Sequence, residues 1–312
     1  MTTGAHRGID GAELAARLGG LPGASMDPAQ VRVVRAPGRV NLIGEHTDYT
    51  GGLVFPLSID RWTEIDGEVS DRIHLTSESE DLAVDLDLDE PFDPSLEPRW
   101  GRYVAAVSSL VAPTSGIDGL VTTTIPVGAG LSSSAALELA VALALGFDGT
   151  PTELARLGQQ AEHLATSVPT GIMDQLCIAA STAGHALLLD CHTLRFEHVP
   201  VPDDIEIVVR FIAHRTLEGS EYSDRVAQCR EAEAVIGPLR LATPEDVARL
   251  DGVVARRARH VITENARVIE FADALRAGDY TAAGDAMVRS HRSMADDFEI
   301  STTAMDGTCS GR

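Results

Sequence analysis

Residues 35–52 read RAPGRVNLIGEHTDYTGG. A short apolar run, VNLI (40–43), has Arg39 before it and Glu45, His46, Asp48 and Tyr49 after it, with glycines on either side. A buried strand has little use for so many polar groups, since each one left without a partner costs about 1–3 kcal/mol. A plain solvated loop would not usually be interrupted by VNLI. The stretch therefore reads as a ligand-binding segment, and the rest of the chain has to say for which ligand.

The chain has 312 residues, enough for about two domains, and 44% of them are apolar, enough to build cores. Its formal charge of −22 argues against nucleic acid and anionic membrane as partners. All 25 basic residues are arginines, and lysine is absent. That excludes the Walker-type phosphate loop, the protein kinases and every Schiff-base mechanism, each of which needs a lysine. Phosphate, if handled, falls to arginine, backbone N–H groups, helix N-termini or a metal. Cys177, Cys191, Cys229 and Cys309 show no CxxC spacing and read as reduced cytosolic thiols. No signal peptide and no stretch of about 18 apolar residues is evident, so a soluble cytoplasmic monomer is expected.

The first half is rich in strand signals: VRVV (31–34), VNLI (40–43), LVFPLSI (53–59), IHLT (73–76), AVDLDL (83–88) and GLVTTTIP (119–126). The period-2 alternation of AVDLDL suits a sheet with one wet face. RYVAAVSSLV reads as a helix. From residue 132 the period turns helical, through SSSAALELAVALAL, TELARLGQQAEHLA (with Thr152 as cap candidate) and IMDQLCIAA. Strands HALLLDC, LRFEHV and IEIVVRF follow, and three long helical segments complete the chain. Pro200 and Pro202 mark a boundary, giving an α+β chain of two domains, residues 1–200 and 201–312.

Two further stretches carry chemistry. In PVGAGLSSSAALELA (126–140), two glycines and three serines lead into a helix. Backbone N–H groups at such a helix start form an anion site, and hydroxyls can add hydrogen bonds or a metal ligand. The bland alternative is a Gly-rich turn with a serine cap. The GxSxG nucleophile elbow fails on spacing, and the dinucleotide fingerprint lacks its third small residue. In QQAEHLATSVPTGIMDQL (159–176), Glu162 lies on a helix and Asp174 follows a Pro-Thr-Gly turn. A divalent cation at phosphates and a phosphoryl acceptor each want a carboxylate. Taken singly, these are two acids among 47.

Together the stretches resemble the galactokinases of the GHMP small-molecule kinase family. APGRVNLIGEHTDYTGGLVFPLSID (36–60), PVGAGLSSSAALELA, AEH…GIMDQ, SEYSDRVAQC (220–229) and HRSMADDFEIST (291–302) carry the resemblance. It implies an N-terminal domain like domain 2 of ribosomal protein S5 and a ferredoxin-like C-terminal domain. It also implies ATP-dependent phosphorylation of the anomeric hydroxyl of D-galactose, with Mg2+. Glu45, His46, Thr47, Asp48, Gly171 and Tyr222 would bind the sugar. Asp174 would be the catalytic carboxylate and Arg39 the cation beside it. Gly128, Ala129, Gly130, Leu131, Ser132, Ser133 and Ser134 would form the ATP phosphate loop, and Ser134 and Glu162 would hold magnesium. Trp62 and Trp100 read as packing residues.

The family's third motif, a Gly-rich loop of the form GGGFGG, has no counterpart: after EISTTAMDG the chain reads TCSGR. The expectation is an incomplete C-terminal domain with an open sheet edge and impaired turnover. Two alternatives to a galactose kinase stand beside it, a galactose-binding remnant and a kinase for N-acetylgalactosamine or another sugar.

Overall fold

The computed structural model describes residues 31–212 and 221–309. The N-terminal residues read as lacking a signal peptide, Ser220 and the final Ser-Gly-Arg lie outside the described residues.

Two sheets organise the chain. Strands β1 (Val31–Asn41), β3 (Pro56–Ser70), β4 (Arg72–Ser77), β5 (Val84–Asp87) and β6 (Gly116–Thr123) form one, in the order β1-β3-β6-β4-β5. All its neighbours are antiparallel except β4 and β6. The second sheet runs β2 (Leu53–Val54), β7 (His185–Asp190), β8 (Arg195–Pro200). VRVV and VNLI, read as two strands, are one: β1 continues through Pro37, with a register shift between Pro37 and Arg39. Proline cannot donate to a ladder and is tolerated at such a bulge. The bulge re-aims the next side chain, and that side chain is Arg39. The run LVFPLSI divides between β2 and β3 for the same reason, at Pro56.

Helices α1 (Arg99–Val111), α2 (Ser133–Ala144) and α3 (Pro151–Thr166) cover the larger sheet. α2 is apolar nearly all round, and Ala135, Ala136, Leu139, Ala140, Ala142 and Ala144 are buried between the sheet and its sister helices. Small residues allow that close approach. Thr150, not Thr152, caps α3: its hydroxyl accepts from the Glu153 N–H while Glu153 returns the bond, with Pro151 as the first helical residue. α4 (Met173–Ala180) packs on the second sheet through Leu176, Leu187 and Leu189.

After Pro200 the described residues supply helices α5 (Tyr222–Ile236), α6 (Gly252–Ala277), α7 (Tyr280–Asp296) and α8 (Thr303–Cys309), and no strand. IEIVVRF, read as a strand, forms none, and Val208 is 79% exposed. Extended backbone becomes a strand only when a neighbour takes its N–H and C=O groups, and no strand of either sheet pairs with it. Of the ferredoxin-like unit, the described residues thus supply the helical layer. α6 fastens that layer to the rest. Phe271 packs edge-on against buried Phe55, ring centroids 5.3 Å apart, in a core shared with Ile43, Val199 and Val268. Truncating Phe55 to alanine would cost about 3–5 kcal/mol.

Candidate active site

The bulge in β1, the N-terminus of α4 and the loop before α2 converge on Asp174. Arg39 donates to Asp174 Oδ1 through Nε at 2.8 Å and Nη2 at 2.5 Å, and through Nη1 to the Gly130 carbonyl at 2.8 Å. Ser132 Oγ donates to Asp174 Oδ2 at 2.5 Å. One carboxylate therefore ties the β1 arginine to the Gly-rich loop. Burial alone would lower the Arg39 pKa, but the Asp174 carboxylate beside it outweighs that and leaves it raised.

The Gly-rich loop is shaped for an anion. Gly130 adopts φ +76°, a conformation open to glycine at no steric cost, and nothing lies within 4 Å of where a Cβ would sit. Ser132, the residue before α2, has φ 61° and its side chain caps no N–H of the first turn. The first-turn amides of α2 therefore have no side-chain acceptor and carry the positive end of the helix dipole.

Ser134 Oγ donates to Glu162 Oε1 at 3.2 Å. Glu162 Oε2 accepts from Thr170 Oγ1 at 2.8 Å and Gln175 Nε2 at 3.0 Å. Burial, followed by the nearby Asp174 charge, raises the Glu162 pKa. A hydroxyl and a carboxylate are hard oxygen donors of the kind that completes a phosphate-bound divalent cation. Among the described residues no group of three or more His, Cys, Asp or Glu could hold a metal ion.

The other side of Asp174 is the GEHTD loop. Glu45 is fixed by Asn41, whose Nδ2 donates to Oε1 at 2.9 Å. His46 adopts φ 60°, a strained conformation for a non-glycine residue that persists only where its surroundings enforce it. It is packed by Tyr49, Tyr222 and Phe298, with ring centroids at 5.7, 5.4 and 4.9 Å, and its Nδ1 meets the Tyr49 hydroxyl at 3.1 Å. Asp48 is raised to about 7 by burial, then by Asp174 and Glu45. Two further carboxylates therefore crowd Asp48 and oppose its ionisation. The Gly171 backbone bonds to the Tyr222 hydroxyl, and burial raises the pKa of that phenol.

The comparisons with known proteins fall on the same residues. A galactokinase galactose-binding signature matches residues 23–65, and the N-terminal domain of GHMP kinases matches residues 102–182. A galactokinase of Chloroflexus aggregans is 40% identical over 300 residues, covering 88% of this chain and 76% of that protein. The chain belongs to the galactokinase family. A crystal structure of Lactococcus lactis galactokinase complexed with galactose superposes with a TM-score of 0.81 at 30% identity, covering 95% of this chain and 82% of that one. A mevalonate kinase of Methanococcus jannaschii, 18% identical with a TM-score of 0.55 over 88% of this chain and 81% of its own, shares the fold.

Within this galactokinase-family frame, three of the expected site residues have neighbours that the sequence did not show. Thr47 was expected to bind sugar, but it is fully buried and its hydroxyl lies 2.9 Å from the Gly44 carbonyl and 2.7 Å from the Leu53 carbonyl. Both of its neighbours are backbone carbonyls of its own loop, so Thr47 holds the loop together. Gly171, expected to let backbone approach the sugar, also makes room for Asp48, whose carboxylate occupies the space a Cβ would need. Ser132, expected at the phosphates, spends its hydroxyl on Asp174.

Two further residues escaped the sequence. Gln175 donates its amide to both Glu162 and Glu138, each at 3.0 Å. Burial, then the Glu162 charge, raises the Glu138 pKa well above the ordinary carboxylate value. A buried polar pair next to Asp174 was visible as MDQ and ALE, but nothing in the spacing says that the two helices meet. Trp100 donates to the Leu82 carbonyl at 3.0 Å, and Trp62 lies beneath Arg35 at 5.0 Å, both as packing residues.

Proposed function

We propose that the chain transfers the γ-phosphoryl group of ATP to the anomeric hydroxyl of D-galactose, giving galactose 1-phosphate and ADP. The observation that carries this reading is Asp174, bonded on one side to Arg39 and on the other to Ser132 of the anion loop. It stands where an acceptor hydroxyl held by the GEHTD loop would face a phosphate held at α2. Glu45, His46 and Asp48 present acceptors and a ring to the sugar hydroxyls, in the manner of carbohydrate recognition, and Tyr222 borders them. The sugar hydroxyl oxygen bonds to the γ-phosphorus, the bridging oxygen–phosphorus bond to ADP breaks, and the hydroxyl proton passes to Asp174. Arg39 holds the Asp174 carboxylate in place through two hydrogen bonds and neutralises charge building on the transferring group.

The residues that would hold Mg2+ are Ser134 and Glu162. The ion would supply charge neutralisation at the phosphates. A coupled ADP-release assay with galactose, N-acetylgalactosamine and glucose as acceptors, alongside calorimetric sugar binding, tests the reading. Galactose-dependent ADP release is the expected result. Preferred turnover of another sugar, or galactose binding without ADP release, would replace it.

A further inference from the structure

One face of α6 carries three polar side chains that phosphoryl transfer does not use. His260 and Glu264 are fully buried and lie one turn apart, and Asn265 is half-buried beside them. A helix that merely filled a core would carry apolar residues there, because a buried polar group is unfavourable unless it is bonded. Each of the three is bonded to the backbone of the sugar loop. His260 Nε2 lies 2.9 Å from the Glu45 carbonyl, Glu264 Oε1 accepts from the Gly44 N–H at 3.0 Å, and Asn265 Oδ1 accepts from the Leu53 N–H at 2.7 Å. A carbonyl only accepts, so Nε2 carries the proton, and Nδ1 accepts from Ser293 Oγ at 2.9 Å.

The helix side of this clamp is itself anchored. Ser290 donates to Glu264 Oε1 at 2.6 Å and Arg267 Nε to Oε2 at 2.7 Å. Phe298 joins the two halves, its ring centroid 4.5 Å from that of His260 and 4.9 Å from that of His46. The strained backbone of His46 thus directly follows two clamped residues, Gly44 and Glu45, and its ring packs on Phe298, which in turn packs on His260 of α6.

We propose that His260, Glu264 and Asn265 are positioning residues that fix the Gly44–Leu53 loop, so that sugar affinity is set from α6 by groups that never touch the sugar. The inference rests on the galactose reading above. Its test uses His260→Phe, which keeps a ring against Phe298 and loses both hydrogen bonds, and His260→Gln, whose amide restores a donor near Nε2.

For His260→Phe the expected result is a galactose Kd and KM raised about tenfold, the worth of one buried hydrogen bond. The ATP KM and kcat should stay near the parent's, the pattern of lost uniform binding, and His260→Gln should recover most of the loss. An unchanged galactose Kd, an equal rise in the ATP KM, or no recovery in His260→Gln overturns the proposal. If His260→Phe does not melt cooperatively, Asn265→Ala is measured instead, with the same Kd and KM readings deciding. A parent chain that binds no galactose sinks the functional reading, and this inference with it. A parent that binds galactose beside an unaffected variant sinks this inference alone.

Discussion

Gly171 and Asp48 compete for one volume: a Cβ built on Gly171 would lie 1.8 Å from Asp48 Oδ2 and 2.1 Å from its Cγ. The loop before α4 and the loop after β1 can meet only because one of them lacks a side chain. Gly171→Ala should therefore push the Asp48 carboxylate aside. Galactose affinity should fall more than about tenfold, since hydrogen bonds to charged groups are worth about 1.5–3 kcal/mol, with the ATP KM little altered. Calorimetry with galactose checks it, and an alanine variant that binds galactose like the parent would show that Asp48 is not a sugar ligand.

The Arg39–Asp174 pair makes a second prediction. Asp174→Asn keeps the shape and removes the proton acceptor, so ADP release should fall by about 10²–10⁴-fold, the usual worth of a general base. Arg39→Ala should do comparable damage, since it also releases the Gly130 carbonyl. Circular dichroism should show both folds intact. An Asp174→Asn variant keeping more than about a tenth of the parent rate would remove Asp174 from the chemistry.

Magnesium dependence supplies a third. Ser134→Ala and Glu162→Gln should each raise the Mg2+ concentration needed for half-maximal rate while leaving galactose binding close to the parent's. Titrating Mg2+ at saturating ATP decides it. Coincident curves for parent and variants would mean that neither residue meets the ion.

Asp48 titrates in a way that stability can report. Its folded pKa, about 7, is above the ordinary value of 3.8. The folded chain therefore holds this proton more tightly than the unfolded chain. The stability this gives is complete below about pH 4, is lost as pH climbs towards 7, and is absent above. Asp48→Asn removes the titration. Measured without sugar, its melting temperature should gain on the parent's between about pH 4 and pH 7. A difference that stays flat over that interval would contradict the burial of Asp48 and its crowding by Asp174 and Glu45.

Much of this was written along the chain. The bulged strand, the GEHTD loop, the serine-led helix and the Asp174 turn are each local patterns, and local patterns are what spacing encodes. Glycines, prolines and serines act over a few residues, so most of the helices and strands could be read directly, although VRVV and VNLI proved to be one strand and the cap of α3 fell on Thr150.

Their partners could not. Thr47 looked like a ligand because its hydroxyl stands among ligands, yet the fold turns it onto the Gly44 and Leu53 carbonyls. IEIVVRF had the composition of a strand, but a strand exists only when another segment pairs with it, and composition does not name the neighbour. His260 bonds the Glu45 carbonyl from 215 positions away, and no periodicity within α6 announces it. The sequence by itself determined which polar groups the GEHTD loop, the serine-led helix and the Asp174 turn carry, because those choices are chemical and local. The tertiary structure alone decided which of them face the site and which hold it in place, because burial and hydrogen-bond pairing are relations between segments remote in the chain.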